Sequence, residues 1–126
     1  MKVCIVIFAF NRPTHLAKLR SSAFDSNPPS GVDIVFFIDG PRSTCDLENV
    51  KQVTELCVNF CLEKHRVNVS KVNKGLRRSV IDGLDECFKT YDAAIVLEDD
   101  LILRDDFFDC ILEALLMFKN NQNVGS

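Results

Sequence analysis

The chain has 126 residues, of which 47% are hydrophobic and 26% are charged, and its formal net charge is -3. This length allows one domain, and the balance of residue types is that of a folded globular protein, which excludes a disordered chain. A mildly acidic chain has no broad electrostatic attraction for nucleic acid or for an anionic membrane. No apolar stretch approaches the roughly 18 to 20 residues of a membrane span, so we expect no transmembrane segment.

The first half of the chain predicts two strands and one helix. Residues 3–10 form a nearly continuous apolar run, which is typical of a strand buried on both faces of a parallel sheet. Pro13 follows a turn and suits the first turn of a helix. Apolar residues continue that helix to residue 24. A loop over residues 27–31 then leads to a second predicted strand at 33–38.

The second half continues the alternation of strands and helices. We predict a helix over residues 46–64, a short strand at 66–69, a helix from residue 76 to about 90 and a strand at 93–97. A short extra strand at 101–103 and a last helix to about residue 119, capped by Asp105 or Asp106, complete the prediction. The predicted apolar stripes of the two middle helices are Leu47, Val50, Val53, Cys57, Phe60 and Cys61, and then Leu76, Val80, Leu84, Cys87 and Phe88.

This order predicts an α/β fold, with an open, mostly parallel sheet and helices on both faces in three layers. No internal repeat or linker divides the chain, so residues 1–126 are predicted to form a single domain. Ligands of such sheets bind beyond the carboxyl ends of the strands. The polar residues predicted at those ends are Asn11, Arg12, Asp39, residues 73–75 and residues 98–100.

Six cysteines are scattered along the chain, several of them inside apolar patterns. No Cys-x-x-Cys pair occurs, which argues against a structural zinc site. Buried thiols pack as small hydrophobic side chains. We therefore expect reduced cysteines in the core of a cytoplasmic protein.

Three consecutive carboxylates, Glu98, Asp99 and Asp100, follow the apolar run of the fourth predicted strand. Side by side they repel one another unless a cation lies between them. Mg²⁺ and Mn²⁺ bind carboxylates together with phosphate oxygens, so the cluster predicts a metal site that also holds phosphate. From the residues alone the aspartates are equally well explained as solvated turn residues, and Arg12 and Asp39 also suit ordinary turns.

Several segments together resemble the GT-A fold glycosyltransferases, in particular the family 2 and N-acetylglucosaminyltransferase I-like enzymes. Residues 95–101 contain Glu-Asp-Asp, a form of the Asp-x-Asp motif, and residues 7–13 are similar to the first strand and nucleotide-contacting loop. Residues 37–40 are similar to the segment that contacts the base, and residues 73–78 to the loop and helix beside the nucleotide. The resemblance covers the chain in order. It implies transfer of a sugar from a nucleotide diphosphate, UDP by preference, to an acceptor hydroxyl.

The resemblance also implies roles for individual residues. Asp100 would bind Mn²⁺ or Mg²⁺ directly, and the metal would bridge the two phosphates of the leaving group. Glu98 and Asp99 would orient the ribose, the donor sugar and metal-bound water. Asp39 would accept a hydrogen bond from the base, and Arg12 would face the diphosphate. The other nucleotide-binding residues that the resemblance implies are Ala9, Phe10, Asn11 and Asn73.

A second half that carries the acceptor site and the general base is expected in this family. We therefore expect the chain to be the N-terminal, nucleotide-binding part of a longer enzyme, cytoplasmic or peripheral to a membrane. The chain would bind the donor only, and its glycan, lipid or protein acceptor would bind elsewhere. Apolar residues of the last predicted helix span an arc of roughly 260°, wider than one sheet face covers, so we expect exposed apolar surface and self-association.

Three other functions are alternatives to this interpretation. A nucleotidyltransferase would carry a glycine-rich loop after the first strand, whereas residues 9–14 contain no glycine. A phosphoacceptor signalling domain would place its acidic pair after the first strand and not after the fourth. A non-catalytic domain that binds nucleotide sugars or a partner remains compatible with the sequence.

Overall fold

A computed structural model describes residues 2–24, 31–60, 65–99 and 107–120 of the chain. Its elements are β1 Val3–Ala9, α1 Pro13–Leu19, β2 Asp33–Ile38, α2 Leu47–Val58, β3 His65–Val69, α3 Leu76–Cys87, β4 Ala93–Glu98 and α4 Phe107–Asn120. A π-helical turn, Arg20–Phe24, extends α1, and a 3₁₀ turn, Thr44–Asp46, precedes α2. Among the helices in these ranges, none combines the length and apolar character that crossing a membrane requires.

The four strands form one parallel sheet in the order β3-β2-β1-β4. β1 is central, and its Ile5 pairs with Ile34 of β2 on one side and with Ile95 of β4 on the other. Every residue of β1 after Val3 is buried, as its continuous apolar run predicts. The strand order changes direction at β1, because β2 and β3 extend the sheet to one side and β4 is added on the other.

Helices cover both faces of this sheet, which confirms the predicted α/β architecture. Leu16 of α1, Val53 of α2 and Phe108 of α4 are buried in one hydrophobic cluster on one face. On the opposite face α3 contributes Cys87 and Val80 to a second cluster. Right-handed crossovers explain this division, since the connections that lead towards β3 and the one that returns to β4 run in opposite directions.

A glycine lets α3 approach the sheet closely near the carboxyl ends of β1 and β2. A Cβ atom at Gly83 would lie 2.7 Å from the ring of Phe8 and 3.1 Å from the ring of Phe37. These two rings stack with their centroids 5.6 Å apart. A larger residue at position 83 would therefore lift α3 away from this pair of aromatic rings.

Some predicted boundaries differ from the structure by a few residues. β3 begins at His65, one residue before its predicted start, and α3 ends at Cys87, although its apolar pattern continues to residue 88. α2 ends at Val58. The end of the longer helix predicted there, the extra strand at 101–103, and the proposed caps Asp105 and Asp106 lie outside the described residues.

The predicted apolar stripes were wrong at three positions, because Leu47, Leu76 and Phe88 are exposed. In α3 a stripe of every fourth residue rotates by about 40° at each step, so its two ends turn away from the sheet. In α2, Leu47 lies about 90° from the centre of the buried stripe formed by Val50, Val53 and Cys57.

Cys4, Cys45, Cys57 and Cys87 form no disulfide bond. Cys4, Cys57 and Cys87 are buried, which confirms the expectation of core thiols for these three residues. Burial is the main cause that raises the pKa of both Cys4 and Cys57 to about 12, and it keeps these thiols protonated and unreactive. The expectation was wrong for Cys45 and Cys110, which are exposed, and Cys61 lies outside the described residues.

Candidate functional site

A cavity of about 290 Å³ opens where β1, β2 and β4 end. It lies beside the change of strand order between β1 and β4, at the position where parallel α/β sheets bind ligands. Most of the residues predicted from the sequence line it, namely Ala9, Phe10, Arg12, Asp39, Asn73, Glu98 and Asp99. Phe8, Phe37, Arg42, Leu76 and Ser79 also line the cavity and were not predicted as site residues.

The carboxylate of Asp39 connects the end of β2 to the loop after β3. Its Oδ1 atom accepts hydrogen bonds from the backbone N–H groups of Gly40 and Lys74, both at 2.8 Å. Its Oδ2 atom accepts from the N–H of Gly75 at 2.9 Å and from the side-chain amide of Asn73 at 3.2 Å. Asp39 is only 6% exposed, so these donors satisfy a buried charge.

The same two loops also touch backbone to backbone. A Cβ atom at Gly40 would lie 2.6 Å from the carbonyl carbon of Val72, so the approach requires a glycine. The amide of Asn73 donates to the carbonyl oxygen of Gly40 at 2.8 Å. Gly75 precedes α3 with a φ of 82°, a conformation that favours glycine. We call these contacts among residues 39–40 and 72–75 the Asp39 clasp.

A second buried carboxylate, Asp46, holds the loop after β1. It accepts hydrogen bonds from the side-chain amide of Asn11 at 2.9 Å and from Nε and the backbone N–H of Arg42, both at 3.0 Å. Hydrogen bonds, first from Arg42 and then from Asn11, lower the pKa of Asp46 to about 2. The Arg42 guanidinium also lies 5.3 Å from the centroid of the Phe10 ring.

Asn11 is therefore engaged in holding the site together. It is absent from the described residues that line the cavity. Its amide has a partner in Asp46, so the nucleotide contact implied for Asn11 stays a prediction. The structure shows that this amide connects the loop after β1 to Asp46.

An ion pair joins the loop after β1 to the end of β4. Nη2 of Arg12 lies 2.6 Å from Oδ1 of Asp99, whose side chain is only 4% exposed. The Arg12 side chain is 48% exposed, which leaves other guanidinium N–H groups accessible to an anion. Glu98, next to Asp99, is exposed at the rim of the cavity.

The predicted metal ligand, Asp100, lies outside the described residues. Within the described ranges, no group of three or more His, Cys, Asp or Glu side chains is arranged to hold a metal ion. Asp99 is paired with Arg12, and Asp39 is engaged in the clasp, so Glu98 is the accessible carboxylate among these. Carboxylate oxygens suit a hard divalent cation, but the described residues do not form its site without Asp100.

Some residues of the site were not predicted, and only some of these have a recognisable pattern in the sequence. Arg42 and Asp46 stand four residues apart after β2, a spacing typical of an ion pair, and this signal was available. Ser79 had no such signal, and its hydroxyl oxygen is buried with no hydrogen-bond partner in the described part of the chain.

No family model of known proteins matches this chain, and no curated protein matches it.

Proposed function

We propose that the chain binds a nucleotide-diphosphate sugar, UDP-sugar by preference, and supplies the donor-binding part of a glycosyltransferase. The observation that carries the proposal is the cavity at the strand ends, which combines aromatic walls with the guanidinium of Arg12. Planar aromatic walls suit a nucleobase, and an arginine suits a diphosphate because it offers charge and paired N–H donors.

The two sides of the cavity support different parts of this ligand. On the side of β2 and α3, Phe37, Leu76 and the Asp39 clasp form a partly apolar wall, which suits a base. On the side of β1 and β4, Arg12, Glu98 and Asp99 gather charged groups, which suit the ribose hydroxyls and the phosphates. The ligand would therefore cross the carboxyl ends of β2, β1 and β4.

A divalent cation, Mn²⁺ or Mg²⁺, is part of the proposal. When bound, it would neutralise the charge that develops on the diphosphate as the sugar leaves. Asp100 would hold the cation, with Glu98 beside it. Arg12 would bind the phosphates, and Asp99 orients its guanidinium.

Transfer itself belongs to a longer enzyme in this proposal, cytoplasmic or peripheral to a membrane, with a glycan, lipid or protein acceptor. A second candidate is a domain that binds the nucleotide sugar without turnover. The contacts of Asp39 and Asp99 favour this candidate. Asp39 accepts backbone hydrogen bonds and Asp99 pairs with Arg12, so neither carboxylate is placed to accept a proton from an acceptor hydroxyl. Turnover of a labelled UDP-sugar, against binding without turnover, separates the two candidates.

Calorimetric titration of the chain with UDP tests the binding proposal. We expect binding in the presence of Mn²⁺ and none in EDTA, because carboxylates repel a diphosphate unless a cation lies between them. Asp100→Asn should abolish the cation-dependent binding, whereas Asp85→Asn, at an exposed position of α3, should leave it unchanged. Equal binding in EDTA would remove the cation from the proposal, and no binding under either condition would overturn the proposal.

A further inference from the structure

Asp39 has little acceptor capacity left for a ligand. Its hydrogen bonds, from 2.8 to 3.2 Å, occupy about the four lone-pair positions that a carboxylate offers. The donors at Gly40, Lys74 and Gly75 are backbone N–H groups, which cannot rotate away. A ligand N–H could reach this carboxylate only by displacing the amide of Asn73.

The clasp also fixes the orientation of the Asn73 side chain. Its Nδ2 group donates to Oδ2 of Asp39 at 3.2 Å and to the carbonyl oxygen of Gly40 at 2.8 Å, which uses both hydrogens. A 180° rotation of the amide would place Oδ1 against these two oxygens, and three acceptors would repel one another. Oδ1 is therefore the polar atom that Asn73 can offer to a ligand in the cavity it lines.

Ser79 adds a second polar group to the same cavity. Its hydroxyl oxygen is buried and has no partner in the ranges that the structure describes. A buried hydroxyl without a partner costs free energy, so a ligand that bonds to it gains affinity. The hydroxyl can donate, whereas Oδ1 of Asn73 can only accept.

We propose that Asn73 reads the nucleobase, accepting a hydrogen bond from a ring N–H, and that Ser79 donates to the adjacent carbonyl. Asp39 is then a positioning residue, which acts by holding Asn73. The inference rests on the proposed function and names the class of base, one with an N–H beside a C=O, as in uracil. Cytosine presents an unprotonated ring nitrogen at that place, and its lone pair would face Oδ1 of Asn73.

Affinities for UDP and CDP, each measured by calorimetry with Mn²⁺, test this assignment. We expect the wild type to prefer UDP by about tenfold or more, the usual effect of gaining or losing one good hydrogen bond. Asn73→Ser should bring the ratio close to one. Asn68→Ser, which changes an asparagine of β3 outside the described lining of the cavity, should leave both affinities unchanged.

Two further variants distinguish residues that contact the base from the residue that holds Asn73 in place. Asp39→Asn should weaken the binding of UDP, reduce the ratio of UDP to CDP affinity and lower the urea midpoint of unfolding, because it loosens the clasp and lets the Asn73 amide rotate. Ser79→Ala should weaken the binding of UDP without lowering the urea midpoint of unfolding. A ratio that collapses in Asp39→Asn but persists in Asn73→Ser would show that Asp39 contacts the base, as the resemblance implies, and would overturn the inference.

The remaining outcomes distinguish this inference from the proposed function. A wild type that binds UDP and CDP equally well overturns the inference alone. A wild type that binds neither nucleotide overturns the proposed function and the inference with it. If Asp39→Asn fails to fold, the ratio of UDP to CDP affinity in Asn73→Ser still tests the inference, because that substitution changes an exposed loop side chain.

Discussion

The buried carboxylates at the site are held by arginine side chains, by asparagine amides or by backbone N–H donors. Asp39, Asp46 and Asp99 are buried carboxylates, and each receives hydrogen bonds from groups within the chain. Removing one partner of a buried charge costs more than the pair contributes, since it leaves the other charge uncompensated. Substitutions at these residues therefore affect both stability and binding, and each needs a readout for both.

Replacing Arg12 should separate cation binding from nucleotide binding. Because its positive charge lies 2.6 Å from Asp99, it opposes the approach of a second cation to these carboxylates. Arg12→Gln should therefore strengthen the binding of Mn²⁺ alone and weaken the binding of UDP with Mn²⁺ about tenfold or more. Calorimetry measures both affinities, and Arg66→Gln, at an exposed residue of β3, is the matched control. Weaker binding of Mn²⁺ alone would contradict this role.

Asp46 should make stability depend on pH in acid. Its pKa is lowered from 3.8 to about 2, so the folded chain binds this proton less readily than the unfolded chain does. The stabilisation is complete above pH 3.8 and is lost as the pH falls towards 2. Urea midpoints measured across this range should fall less steeply in Asp46→Asn than in the wild type. Parallel curves for the two proteins would show that Asp46 does not contribute to the pH dependence of stability.

Helices and strands are predicted well from the sequence where the pattern is bounded by turn residues. β2 covers the same residues that were predicted, between Gly31 and the Asp-Gly-Pro turn. α2 ends at Val58, although its predicted apolar pattern continues, and Phe60 packs into the core from the turn that follows the helix. Most of the residues that line the cavity were predicted because they follow strands, and parallel strands bring their carboxyl ends to one edge.

The clasp between elements could not be predicted in the same way. Its main donors are the backbone N–H groups of Gly40, Lys74 and Gly75, and a backbone donor has no signature in the sequence. The contact of Gly40 with Val72 likewise joins two loops that are far apart along the chain. Asp39-Gly40-Pro41 therefore reads as an ordinary turn until the loop after β3 is placed against it.

Gly40→Ala tests how strongly this contact holds β2 and α3 together. The added Cβ would meet the backbone of Val72 at 2.6 Å, so one loop must move. We expect the free energy of unfolding to fall by about 1–3 kcal/mol, the usual cost of overpacking, and UDP to bind less tightly. Urea unfolding measures the first effect, with Asp85→Ala on the exposed side of α3 as control. An unchanged unfolding curve would show that the loops after β2 and β3 can move apart without loss of stability.

At the scale of the whole molecule, α4 presents apolar surface to solvent. Phe108 is buried in the core, but Leu116 and Met117 are 59% and 60% exposed. The exposed apolar surface expected from the sequence is thus present on this helix, and self-association stays a prediction. Large apolar side chains grouped in water favour association.

Light scattering at increasing protein concentration tests that prediction. We expect the apparent mass to rise for the wild type and to rise less for the double variant Leu116→Gln/Met117→Gln. Val58→Gln, which removes a single exposed apolar side chain from the end of α2, should behave as the wild type does. A wild type that keeps the mass of one chain at every concentration would show that α4 is not an association surface.

The structure of the chain crystallised with UDP and Mn²⁺ tests most directly whether the cavity at the strand ends is a nucleotide site. We predict uracil against Asn73 and Ser79, the diphosphate beside Arg12, and Mn²⁺ between the diphosphate and Asp100. A nucleotide bound elsewhere on the molecule, or an empty cavity at saturating UDP and Mn²⁺, would contradict the account.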